Sequence, residues 1–249
     1  MSGTRIDYQG LKELVDEGHR QAAVRTARRG WPLRFLIWLA RLGARSGLAV
    51  GAVLLLLTLP FVVLIRGGML AYGAGWGAWT SVGAGTVGVT LLLGVYAAVA
   101  ARRMGASRNV RKVLARGGMA LGGLFVVYAT TYVAVGQTTS AEVRAEFGDL
   151  HPLLRVAAST VFLVDGHRVM TDASRTAEDY WLMGLPVNEA SLHFRQDGTG
   201  FVHALDLRTR GRTEWSNRLA EVAFWAMGFH ALRHVGTADH LHVSLRLPG

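Results

Sequence analysis

Apolar and polar positions divide this chain into two kinds of pattern. In the first half, long apolar runs alternate with short basic stretches. The run from about Gly47 to Ile65, closed by Arg66, is long enough as a helix to cross about 30 Å of hydrocarbon. Pro60 lies inside it and is expected to kink it, which a membrane span tolerates. No charge occurs from Gly67 to Ala101, too long for one span. Gly73, Gly75 and Gly77, with Tyr72, Trp76 and Trp79, mark an interfacial loop there, so a second span is predicted over about 82–100. A third, over about 117–135, lies between Arg116 and the polar Gln137-Thr138-Thr139-Ser140. Gly122 and Gly123, and Ala84, Gly88 and Gly94, read as helix contacts, Ala84 and Gly88 with small-xxx-small spacing. Ahead of the spans, Leu11, Leu14 and Val15 have helical spacing within 5–29. Trp31, Phe35, Trp38 and Leu42 beside Arg34, Arg41 and Arg45 read as an interfacial segment.

After about Gly136 the pattern becomes that of an α+β domain with a small, mostly antiparallel sheet. Helices are expected at 141–147 and 150–159, then a strand at 161–164, the turn Asp165-Gly166 and a strand at 168–171. Residues 172–183 read as helical or looped. A strand–turn–strand unit follows: 190–195, the turn Asp197-Gly198 and 201–207. Residues 208–212 are a loop, and Trp215 to Met227 a helix closed by Gly228. Trp215, Phe224, Trp225 and Phe229 are assigned to the core. Leu241, Val243 and Leu245 alternate as a closing strand.

Charge follows the same division. Residues 1–136 carry 16 Lys and Arg against 4 acids, and residues 137–249 carry 11 against 13, so the net +10 belongs to the first half. It flanks apolar segments, which makes a membrane explanation better than nucleic acid. Nine of these basic residues precede the first span and six lie between spans two and three, but only Arg66 lies between spans one and two. Positive-inside bias then places the N-terminus in the cytosol and the domain after Gly136 on the outer side. The resulting division is a cytosolic or interfacial basic segment, 1–46, a three-helix membrane region, 47–136, and an extracytoplasmic domain, 137–249. The spans hold no acid or base, which gives an ion pathway no support. The absence of cysteine excludes disulfides and thiolate sites.

Eight of the nine histidines lie in the outer domain. On the closing strand His240 and His242 share a face, about 7 Å apart at Cα. By itself such a pair is as readily two satisfied imidazoles on a half-exposed strand. A zinc site takes three ligands from His, Asp or Glu and keeps a fourth position for water. His193, Asp206 and His242 can supply them, with His240 alongside as a neighbouring donor. His151, His167, His230 and His234 fit no ligand position and read as surface or structural.

The pattern Ser191-Leu192-His193, Ala204-Leu205-Asp206-Leu207, a helix ending Met227-Gly228-Phe229, and His240-Leu241-His242-Val243 resembles the D-alanyl-D-alanine carboxypeptidase/dipeptidase type of zinc peptidase. That superfamily includes the hedgehog signalling domain and the lysostaphin-like endopeptidases. Thr171-Asp172-Ala173-Ser174-Arg175 resembles its upstream arginine segment. The resemblance covers about 141–247 and implies Zn2+ held by His193, Asp206 and His242. It also implies Asp239 as catalytic acid, as an Asp where many members have Glu, and Arg175 as the arginine that steadies substrate and oxyanion. His193 and Asp206 stand further apart than in the family pattern, which calls for a projecting hairpin and leaves His203 as a rival ligand. Together with the outward location, this reads as a multi-pass hydrolase of a bacterial inner membrane, acting on the peptides of peptidoglycan. The alternatives are a degenerate domain that binds zinc, peptide or wall without cutting, and a membrane assembly subunit with an accessory outer domain. Protein partners in the membrane or a homo-oligomer are compatible with all three.

Overall fold

A computed structural model describes Glu17, residues 47–236 and residues 239–248. Apart from Glu17, the expected helix at 5–29 and the interfacial segment at 31–45 lie outside the described residues. The described residues from Thr58 onward form one compact unit. Among the described residues three helices are long and apolar enough to cross a membrane: α1 (Gly47–Gly73), α2 (Ala78–Arg103) and α3 (Arg108–Thr131). Each is longer than its apolar run. The basic Arg102 and Arg103 fall in the last turn of α2, where they meet the negative end of the helix dipole. The Ser107 hydroxyl caps the start of α3.

Close approach between α1 and α2 is made at Gly85. A Cβ there would lie 2.0 Å from the Leu64 carbonyl oxygen and 3.0 Å from the Gly68 nitrogen. The small-xxx-small pair Ala84 and Gly88 brackets this position. At Gly88 an added Cβ would only touch the Val63 side chain, at 3.5 Å.

The C-terminal part contains α4 (Ala141–Glu146), α5 (Pro152–Val164), β1 (Met170–Asp172), α6 (Ala177–Leu182), β2 (Ala204–Arg208), α7 (Glu214–Met227), β3 (His230–His234) and β4 (His240–Ser244). Local chemistry fixes the helix ends. Ser140, Thr176 and Thr213 cap α4, α6 and α7 with their hydroxyls, and Gly228 ends α7 at φ 104°, where only glycine is unstrained. The strands form an antiparallel sheet in the order β1-β2-β4-β3.

Three expectations are corrected. The strand expected at 161–164 is the last turn of α5. That helix is buried on nearly every side from Pro152 to Phe162 and continues as helix through the exposed Leu163 and Val164, so an apolar run that looks strand-like belongs to a helix buried all round. The strand–turn–strand unit expected over 190–207 is a looped segment closed by the single bridge Gln196–Phe201, and only 204–208 joins the sheet. β3, which was not expected, pairs with β4 along its whole length.

One buried cluster runs through this unit. It takes Leu64, Ile65 and Tyr72 from α1, Val82 and Val89 from α2, and Ala129 from α3, together with α5 and the inner residues of the sheet and α7. Arg155 on α5 is buried there. Its guanidinium donates to the carbonyls of Leu150, Gly148 and Thr130, the last in the terminal turn of α3, where helix carbonyls lack partners.

Candidate metal centre

Strand register builds two thirds of the site. Asp206 on β2 and His242 on β4 are direct cross-strand partners, so their side chains share a face with His240, which lies opposite Arg208. His193 arrives from the looped segment, held by its neighbours' backbone. The Arg175 amide donates to the His193 carbonyl over 2.8 Å, and the His203 amide donates to the Leu192 carbonyl over 2.8 Å. The loop thus does what a hairpin was expected to do, and the long separation from Asp206 is taken up without a projecting strand pair.

The three donor atoms form a tight triangle. His193 Nε2 lies 3.2 Å from His242 Nδ1. His242 Nδ1 lies 2.9 Å from Asp206 Oδ1. His193 Nε2 lies 3.4 Å from Asp206 Oδ1. Zinc bonds of 2.0–2.2 Å in a tetrahedron place neighbouring ligand atoms about 3.3 Å apart, so the residues fit the ion. The tautomer fits too. His193 Nδ1 lies 2.8 Å from the Ala173 carbonyl, which can only accept, so Nδ1 keeps a proton, and it is loss of the Nε2 proton on metal binding that would turn a lone pair into the triangle. Among the described residues these three form the group that could hold a metal ion.

The carboxylate at the centre is electrostatically crowded. Asp206 Oδ2 lies 3.3 Å from the Arg175 guanidinium and 3.7 Å from His240 Nε2. Burial pushes the Asp206 carboxyl up. The hydrogen bonds from His193 and His242 and the charges of His193 and His240 outweigh it and hold the group below the usual carboxylate range. Arg175 is itself aimed by Asp172, whose Oδ2 accepts from Nε at 2.7 Å and Nη2 at 2.5 Å. A register shift in β1 between Met170 and Asp172 brings Asp172 opposite Asp206. His193 and Asp206 are buried, whereas His242, His240 and Arg175 are partly open, so the site is approached from the side of those three.

Two sequence candidates are placed elsewhere. His203, the rival ligand, is buried against the end of α1. Its Nε2 accepts from the Tyr72 hydroxyl at 2.9 Å, and its Nδ1 donates to the Phe201 carbonyl at 3.0 Å. His151 packs against both Tyr72 and His203. Burial lowers the His203 imidazole to about 4, and burial followed by the charges of His203 and Arg155 lowers His151 to about 3. Asp239, expected as the catalytic acid, has both oxygens occupied. Oδ1 accepts from the Thr209 hydroxyl and from Arg233 Nε, and Oδ2 accepts from Arg233 Nη2 at 3.1 Å. Those bonds, Arg233 first, hold its carboxyl below the usual range. On a strand a neighbour one position away faces the other side, and Asp239 is one before His240.

His234 is the addition. Register on β3 sets it opposite His240, with the rings stacked at 4.8 Å, and its ring lies 6.2 Å from that of His242. The sequence signal is faint, since His230-Ala231-Leu232-Arg233-His234 shows no polar–apolar alternation and both faces of that strand are at least partly exposed. No protein-family model, curated protein or solved structure matches the chain.

Proposed function

We propose that this chain is a membrane-anchored zinc peptidase whose site lies on the outer side of a bacterial inner membrane and acts on peptidoglycan peptides. The observation that carries the reading is the donor triangle of His193, Asp206 and His242, sized for a tetrahedral ion. A zinc ion there would supply Lewis acidity and a bound water acidic enough to serve as a nucleophile near neutral pH. The resemblance of the surrounding motifs supports an amide bond as the target, and the basic loops support the orientation.

The chain's own residues divide the remaining work. Arg175, held by Asp172 beside Asp206, is the cation that stabilises charge developing on the substrate carbonyl oxygen. His240, partly open beside Asp206, moves the proton to the departing amine, and its stacking on His234 holds the ring in place. Asp239, bound to Thr209 and to Arg233 on β3, holds the start of β4 and takes no proton.

The test uses the full chain in detergent: bound zinc is measured, and muropeptide cleavage is assayed for the native chain and for His242→Ala. Full cleavage by the variant rejects the assignment. A second reading, a domain that binds zinc and peptide without cutting, is favoured by the engagement of Asp239 with Arg233 and Thr209. Stoichiometric zinc with no cleavage of any muropeptide would establish it.

A further inference from the structure

Helix α7 has two apolar faces. One packs inward through Ala220, Phe224 and Met227, and the polar Asn217 is buried beside them. The other carries Trp215, Leu219, Val222 and Trp225, exposed by 77%, 62%, 57% and 70%. At 100° per residue these four lie within about a third of the helix circumference. Leu91 and Leu121 on the membrane helices, at 67% and 69%, are exposed to the same degree. Two tryptophans in such a stripe do not belong to the core, contrary to the expectation from the sequence.

The stripe begins where a membrane helix ends its apolar run. Arg66, the charge that closes the run of α1, donates from Nε to the carbonyl of Ala226 over 2.9 Å, and Ala226 lies on the angular sector of the stripe. Gly228, next in the chain, is so close to α1 that a Cβ would meet Met69 Sδ at 2.9 Å and Arg66 Nη1 at 3.0 Å. The C-terminal end of α7 is therefore at the level of the hydrocarbon boundary. The helix does not descend from there, because Glu214, Arg218 and Glu221 would enter the hydrocarbon. Composition fits the boundary itself. Tryptophan, leucine and valine face outward, Arg218 lies among them with a side chain long enough to reach lipid phosphate, and Glu214 and Glu221 lie on one flank.

We propose that α7 is an interfacial helix, lying in the plane of the bilayer surface with Trp215, Leu219, Val222 and Trp225 embedded among lipid headgroups and upper acyl chains. The occupant of the stripe is lipid, and the consequence is that the sheet and its metal centre are held at a fixed height over the membrane. This inference rests on the membrane helices and is independent of the peptidase reading.

Because the chain has no cysteine, single cysteines can be placed without background. The full chain, reconstituted in nanodiscs of phosphatidylethanolamine and phosphatidylglycerol, is spin-labelled at Leu219→Cys, Val222→Cys or Trp225→Cys. Leu91→Cys serves as the lipid reference and Thr199→Cys as the aqueous one. The expected result is an oxygen-to-nickel-chelate accessibility ratio severalfold above that of Thr199→Cys and below that of Leu91→Cys. A ratio equal to that of Thr199→Cys overturns the proposal. So does protection from both reagents, which would mean that a second protein surface covers the stripe. If Trp225→Cys fails to fold, the smaller changes at Leu219 and Val222 give the same reading.

Discussion

The hydroxyl of Tyr72, near the end of the apolar helix α1, donates to Nε2 of His203, three residues before Asp206 of the candidate metal centre. The His203 Nδ1 proton is directed at the Phe201 carbonyl, so Nε2 can only accept. Tyr72→Phe therefore leaves a buried acceptor without a partner, at a cost of about 1–3 kcal/mol. Thermal unfolding in detergent should show the loss. Thr131→Val, which removes an exposed hydroxyl bonded only within α3, is expected to change little.

Acid should unfold this unit through the same pair of rings. His151 and His203 are held neutral in the fold, at about 3 and about 4, against 6.5 for the free imidazole. Below pH 6.5 the unfolded chain takes up protons that the folded chain refuses, so stability falls as pH drops from about 6.5 towards 3 and levels off below. Urea midpoints across that range measure it. His203→Gln is expected to flatten the curve, whereas a curve unchanged in both His203→Gln and His151→Gln would contradict the account.

Zinc should stabilise the folded chain by mass action. With free zinc a hundredfold above its dissociation constant the gain is about 2.7 kcal/mol, seen as a rise in Tm after a chelator-treated sample is reloaded. Asp206→Asn and His242→Ala each remove a donor from the triangle and should abolish that rise. Retention of the rise in both variants would place the ion elsewhere.

Asp239 and His240 separate two roles that adjoin in sequence. Asp239→Asn keeps the oxygen that accepts from Thr209 and weakens only the pairing with Arg233, so hydrolysis should stay within a small factor of the native rate. His240→Ala removes the proton-transferring group and should lower the rate by about 10²–10⁴ with zinc content unchanged. The reverse order of effects would restore Asp239 as the acid.

Among the membrane helices, Gly85→Ala forces a methyl group against the Leu64 carbonyl and should cost about 3 kcal/mol or more. Gly88→Ala meets only the end of a valine side chain and should be near neutral. Equal yields of folded protein from the two would count against close packing at Gly85.

The three apolar helices were legible because about 20 uncharged residues admit few other structures. The grouping of His193, Asp206 and His242, which could hold a metal ion, was legible because residue type and spacing survive changes in local fold: the three meet although the expected hairpin is a loop. What escaped was decided by contacts between distant segments. α5, buried on almost all sides from Pro152 to Phe162, carries its helix on to Val164. His203 could not be separated from His193 by spacing, since its partner Tyr72 is 131 residues away. Asp239 fitted the motif, but Thr209 and Arg233 had claimed both of its oxygens. His234 entered the site through strand pairing that the non-alternating sequence of β3 does not signal.

Because Leu64, Ile65 and Tyr72 belong to the same buried cluster as the strands that carry Asp206 and His242, the membrane segment cannot be treated as a replaceable tether. A cut at residue 136 would take away one wall of the structure as well as its attachment. Exchange of this C-terminal part onto another set of apolar helices, by an engineer or by recombination, would have to carry the end of α1 with it. Anchor and site are therefore inherited as one piece.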